Sequence, residues 1–200
     1  TEQRNGELAV INSIQQGLVA QLDLRAIVDL VGDKLREVFR SGNVSIAWFD
    51  ESTYLVTPVY NYEHGRRLDG VPATEMARSE RNLQVIRERR AVPMHTMPPE
   101  SQAYPGTTMP KSDVRAPVVA ADRVIAIVTL DDYEREHAFG DDEIRLLTTV
   151  CTAMGMALQS ARLFDEAQRR ARETAALAEV GREIGSTLEL ATVMDRIAHH

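Results

Sequence analysis

The chain has 200 residues, a hydrophobic fraction of 44% and a formal charge of −7. Such a length holds one packed domain of about 150 residues with helical extensions, and the acidic balance argues against a large nucleic-acid-binding face. The single cysteine, Cys151, excludes an internal disulfide and an all-cysteine metal site, and no apolar run approaches the roughly 20 residues needed to span a membrane.

In chain order, Leu8, Ile11, Ile14, Leu18 and Leu22 recur at spacings of three and four, one face of a helix. Asp23 starts a second helix with the stripe Leu24, Ile27, Val28, Val31, Leu35 and Val38, and Ser41-Gly-Asn43 ends it. Val44–Phe49 and Tyr54–Tyr62, joined by Asp50-Glu-Ser52, read as a hairpin. On the first strand Val44, Ile46 and Trp48 point one way and Ser45, Ala47 and Phe49 the other; the sequence leaves open which set faces a ligand. A polar loop spans Glu63–Pro72. Thr74 is placed at the cap of a helix reaching Arg89, with Met76, Leu83 and Ile86 inward.

Ala91–Met94 reads as a short strand, and His95–Lys111 as the only long irregular segment, with four prolines and Gly106. Loops of that length in compact domains are usually functional or disordered. Val114–Val119 is β-branched, but Pro117 demotes it to an edge or bulged position. Val124–Leu130 is a nearly continuous apolar strand, ended by Asp131-Asp132. Asp141 or Asp142 is placed at the N-cap of a long helix with Leu147, Val150, Met154, Ala157, Leu158 and Ala161 at helical spacing.

The order strand, turn, apolar strand, acidic loop, Phe139-x-x-x-Glu143, helix, and Ala157-Leu-x-x-Ala-x-Leu-Phe164 resembles the end of a GAF domain. GAF domains are small-molecule sensing modules of bacterial histidine kinases, cyclases and phosphodiesterases. The resemblance implies an α+β fold: a central antiparallel sheet of five to six strands, terminal helices on one face and a loop-rich ligand side on the other. The GAF-like domain is expected at 1–168. Residues 169–200 are expected to be a linker helix and the truncated start of a second repeat, because Leu22-Asp-Leu-Arg-Ala-Ile-Val-Asp29 resembles Leu188-Glu-Leu-Ala-Thr-Val-Met-Asp195.

Chemistry is sparse. Cys151 sits mid-helix among Val150, Met154 and Leu158 and reads as a buried structural thiol rather than a nucleophile. One cysteine argues against the methionine-sulfoxide-reducing branch of the family, and no ligand-loop cysteine is present for a bilin. His64, His95 and His137 are the loop histidines that haem would need, and they read as solvated. Cyclic-nucleotide-binding relatives carry Asn-Lys near the position of Asp131-Asp132; two carboxylates there disfavour an anion.

The candidate ligand residues are Trp48, Tyr60, Tyr62, Met94, His95, Tyr104, Met109 and Arg115. The aromatics offer polar handles and Arg115 a partner for an anion. No catalytic residue, metal or cofactor is expected. The expected function is sensory or regulatory: an unknown small molecule binds, and a dimeric helix transmits the change to an effector. The alternative is a ligand-free scaffold for dimerisation and relay. Expected partners are a second copy through the terminal helices, with no nucleic acid and no membrane. The setting expected is a bacterial cytoplasm, since no signal-peptide pattern opens the sequence. The homodimer seam is read at Ala157, Ala161, Phe164, Gln168, Ala171, Ala175 and Ala178, an a/d heptad spacing.

Overall fold

The computed structural model describes residues 12, 14, 16, 17, 23–39, 42–75, 79–99, 101–103 and 106–198, with only the backbone of 183, 185–193, 195, 196 and 198. Leu8, Ile11, Leu18, Leu22, Met76 and Tyr104 lie outside these residues. The chain divides into two compact units, Thr1–Ala161 and Arg162–His200.

In the first unit, helix α1 (Leu24–Val38) leads into strands β1 (Asn43–Asp50) and β2 (Leu55–Glu63). The short strands β3 (Arg66–Arg67) and β4 (Thr74–Glu75) and helix α2 (Glu80–Glu88) follow. Strands β5 (Val92–Met94), β6 (Ser112–Ala120) and β7 (Arg123–Asp132) come next, then helix α3 (Asp141–Ala198). The antiparallel sheet has the order β3-β2-β1-β7-β6-β5, with β4 on the far part of β2, so it holds seven strands rather than five or six.

Asp23 caps α1 as expected, accepting from the Arg25 backbone N–H at 3.0 Å. The α1 stripe buries Ile27, Val28, Val31 and Leu35. The cap of α3 differs from expectation. Gly140 takes the cap position, with its carbonyl accepting from Ile144 N–H at 3.0 Å and its own N–H donating to Glu143 Oε2 at 3.0 Å. Asp141 and Asp142 fall in the first turn, where their charge favours the positive helix end. Helix α2 begins at Glu80 rather than near Thr74. Ser79 caps it through its hydroxyl, and Thr74–Glu75 is recruited as a strand against Leu55 and Val56.

One core cluster joins α1, one sheet face and the start of α3: Val31 and Leu35, then Ile46, Val114, Ala116, Val128 and Leu130, then Leu147, Met154 and Leu158. Gly155 makes the closest approach. A Cβ there would stand 2.1 Å from the Val119 carbonyl oxygen, so only glycine lets the helix lie against β6. Asp131 and Asp132 are the last two residues of β7, Asp131 paired with Asn43 of β1 and Asp113 of β6 and Asp132 with Ser112 of β6.

The second unit is the continuation of α3. It passes through residues 188–195 as unbroken helix, without the break that Asp23 makes in the similar stretch near the N-terminus.

Candidate functional site

Two strand irregularities decide which side chains face away from α1 and α3. In β2 the pairing steps from Ile46–Tyr60 to Ala47–Pro58, so Val59 is an extra residue; Pro58 beside it lacks the N–H for a regular ladder. The side-chain alternation of β2 therefore inverts at that point. Asn61 and Glu63 share one face with Val56 and Pro58, while Tyr60 joins the helix-side core. A matching step between Val118 and Val119 leaves Ile125 as an extra residue in β7.

The face opposite α1 and α3 lines a cavity of about 100 Å³. Its floor is graded in three cross-strand rows. The first places Asp131 opposite both Asn43 and Asp113. The second runs Asn61, Ser45, Thr129 and Arg115 across four strands. The third is apolar, with Pro58, Ala47 and Ile127 in line. The walls come from Asn82 of α2 and from Met97, Thr108, Met109 and Pro110 of the long loop.

The charged row is the unusual part. Like charges directly opposite across two strands repel. Asp113 is fully buried and neutralised by a fork from Arg81, with Arg115 Nη2 at 3.4 Å. Arg115 is also committed to Asn82 Oδ1 at 2.7 Å and Ser79 Oγ at 3.1 Å. Asp131 lines the cavity, and its carboxylate accepts no hydrogen bond among the described residues. Burial, and then the Asp113 charge, push the Asp131 carboxyl up to about 7, with Glu63 adding to the rise and Arg115 and Arg81 opposing it.

Glu63, also buried, accepts from the backbone N–H of Thr108 at 2.8 Å and from the Thr108 hydroxyl, with His64 Nε2 at 3.7 Å. Those two bonds tie the long loop to β2, and His64 Nε2 lies 3.0 Å from the same hydroxyl. Burial, with Asp131 and Glu63 behind it, pushes the Tyr133 phenol far up, so it stays protonated at neutral pH.

The expected ligand residues separate. Met109 and Arg115 line the cavity. Tyr60 is a correction: it is buried in the helix-side core, and its hydroxyl donates to Asp33 Oδ1 at 2.7 Å. Trp48 and Tyr62 pack on that same core, and the Arg36 guanidinium lies 3.2 Å from the Tyr62 ring centre. Their alternation on β1 and β2 directs them away from the cavity. Met94 ends β5 outside the cavity lining, and His95 is exposed, its ring stacked on His137 at 5.0 Å. Tyr104 is not among the described residues. Cys151 is buried within α3, and burial alone pushes its thiol far up.

The cavity residues that sequence reasoning passed over are Glu63, Asp113, Asp131, Asn61, Thr129 and Tyr133. A signal for them existed: polar side chains at every second place in otherwise apolar strands, Asp113 and Arg115 in one, Thr129 and Asp131 in the next.

Comparison with known proteins agrees with the architecture. The model of the GAF domain family matches residues 21–159. The fold is similar to free methionine-R-sulfoxide reductase from Neisseria meningitidis in complex with its substrate, at 14% identity and a TM-score of 0.67, covering 78% of this chain and 90% of that one. It is also similar to the GAF domain of an Acinetobacter phosphoenolpyruvate-protein phosphotransferase, at 18% identity and a TM-score of 0.66, covering 80% and 96%. A methyl-accepting chemotaxis protein, residues 122 to 287, matches at 14% identity and a TM-score of 0.66, covering 76% and 98%. No curated protein sequence matches. The matched span takes in α1, the whole sheet and the first turns of α3, and on that match the chain belongs to the GAF domain family.

Proposed function

We propose that this chain is the sensory module of a signalling protein, and that the cavity on the open face of its sheet binds a small molecule. One observation carries the reading. Polar groups from β1, β2, β6, β7, α2 and the long loop converge on one cavity, and the carboxylate of one of them, Asp131, accepts no hydrogen bond among the described residues. Concave sites with a few convergent polar groups and a perturbed titratable residue are where small molecules bind. Signalling proteins among the fold relatives, including the chemotaxis protein, support a regulatory rather than catalytic role. So does the burial of Cys151 away from solvent.

The route out of the cavity starts at the next residue. Asp131 faces the cavity, and Asp132 organises the turn that feeds α3. Its carboxylate accepts from the backbone N–H groups of Glu134 at 2.9 Å and Arg135 at 2.8 Å, and from the Arg135 guanidinium at 2.7 Å. Burial pushes this carboxyl up, but the Arg135 guanidinium and the two N–H groups outweigh it and hold it below the usual range. Ser112 fastens the same turn, donating to the Arg135 carbonyl at 2.8 Å. A shift of β7 on ligand binding therefore reaches α3 through a short, hydrogen-bonded turn.

The helix passes the change on by pairing with a second copy. The exposed apolar side chains Phe164, Leu177, Val180 and Ile184 along its continuation support that step. Ala157 and Ala161 do not belong to this seam, because they pack on the domain's own core. Residues 169–200 serve as the connector to a following repeat or effector. Native mass spectrometry of the purified chain tests the reading. A retained small molecule, lost on denaturation, is the expected result; a mass equal to the bare polypeptide at every gentle ionisation setting contradicts it.

A further inference from the structure

We infer that the ligand is a small amphiphilic cation, a protonated amine or similar group on a short apolar body, with its charge seated against Asp131 and its body along β1 and β7. The inference rests on the reading of the cavity as a ligand site and adds the ligand's chemical class and orientation.

Three features of the floor specify that class. The first is charge. Glu63, Asp113 and Asp131 stand against Arg81 and Arg115, so among the described residues the cluster holds one more carboxylate than cation. Both arginines converge on Asp113, and Glu63 accepts from Thr108, so among the described residues Asp131 is the carboxylate facing the cavity without a donor. A ligand carboxylate or phosphate would add to the surplus, and the Arg115 Nη groups are already held by Asp113, Asn82 and Ser79. A ligand N–H₃⁺ supplies both the missing charge and the missing donors.

The second feature is the gradient. Rows on one face of a sheet lie about 6.7 Å apart along the strands, so the floor runs from carboxylate through hydroxyl and amide to hydrocarbon over about 13 Å. Asp131, Thr129 and Ile127 mark that order on a single strand. A molecule charged at one end and apolar at the other fits it in one direction only. The third feature is size. A cavity of about 100 Å³ holds a compact ligand group.

Binding should also move a proton. The groups facing Asp131 are Asp113 and Arg115 from β6, Glu63 from β2, Arg81 from α2 and Tyr133 just beyond β7. With its carboxyl raised toward neutrality in the empty cavity, Asp131 gives up a proton when a cation settles beside it.

The test is an NMR titration of the whole 200-residue chain at pH 7 with three size-matched probes: butylammonium, butyrate and butan-1-ol. Butylammonium should shift the backbone amides of Thr129, Asp131 and Glu63 saturably, and Asp131→Asn, an isosteric change that removes a repelled charge, should weaken it about tenfold or more. Its titration heat should scale with buffer ionisation enthalpy in the sense of proton release. Saturation by butyrate but not butylammonium overturns the cation class while leaving the cavity reading intact. Equal saturation by butan-1-ol, or unchanged butylammonium affinity in the dispersed spectrum of Asp131→Asn, overturns the role given to Asp131. No saturation by any probe, together with a bare mass in native spectrometry, removes both the inference and the reading beneath it.

Discussion

Asp131 shows how one residue can be costly to the fold and central to the site. It sits opposite Asp113 across two paired strands, and burial raises its carboxyl from an ordinary value of 3.8 to about 7. Below about pH 4 both folded and unfolded chains carry the proton. Between about pH 4 and 7 only the folded chain does, so this group's contribution to stability falls as pH rises through that window and levels off above it. Asp131→Asn should therefore stabilise the empty domain at pH 8, with little effect at pH 4. Urea unfolding of both proteins across that range measures it, and a pH-independent difference would refute the assignment. At the same scale, Gly155→Ala should destabilise by about 2 kcal/mol or more, because its Cβ would strike the Val119 carbonyl oxygen, a backbone atom. A thermal melt within a degree of wild type would contradict that.

Among the elements, the long loop carries the next prediction. Thr108 fastens it to Glu63 through a backbone and a hydroxyl bond. Thr108→Val keeps the shape and the backbone bond and removes the hydroxyl, so hydrogen exchange should quicken at residues 106–110 while β6 and β7 remain protected. Equal exchange in both proteins would show that the hydroxyl does not hold the loop.

Much of the element order was legible in the sequence, for identifiable reasons. Asp23 before an apolar stripe marks a helix start, and the Val/Ile run of 124–130 marks a central strand. The site was less legible. An aspartate pair reads as a strand end because aspartate is depleted in strands. Pairing with β6, and for Asp131 with β1 as well, keeps the two aspartates in β7. The aromatics Trp48, Tyr60 and Tyr62 read as binding residues by type, but the face they occupy depends on strand order and on the extra residue Val59. Met109 was read from its place in the loop and Arg115 from its charge, and both line the cavity.

For the molecule as a whole, the account requires that an event in the cavity alter α3 and that α3 pair with a second copy. Phe164→Glu and Leu177→Glu replace exposed side chains beyond the core, so the domain should stay folded while its light-scattering mass falls from dimer to monomer. Ala161→Glu is a poor test of pairing, since Ala161 is buried in the core and the substitution would unfold the domain first. A wild-type chain already monomeric at high micromolar concentration would remove the dimer from the account.

The most direct test of the central claim is hydrogen exchange on the intact chain with and without saturating butylammonium. Slower exchange is predicted at 127–133 and at 106–110, together with a changed exchange pattern in the first turns of α3 beyond Asp141. Protection confined to the cavity, with every α3 amide exchanging as it does in the empty protein, would contradict the claim that the cavity reports to the helix.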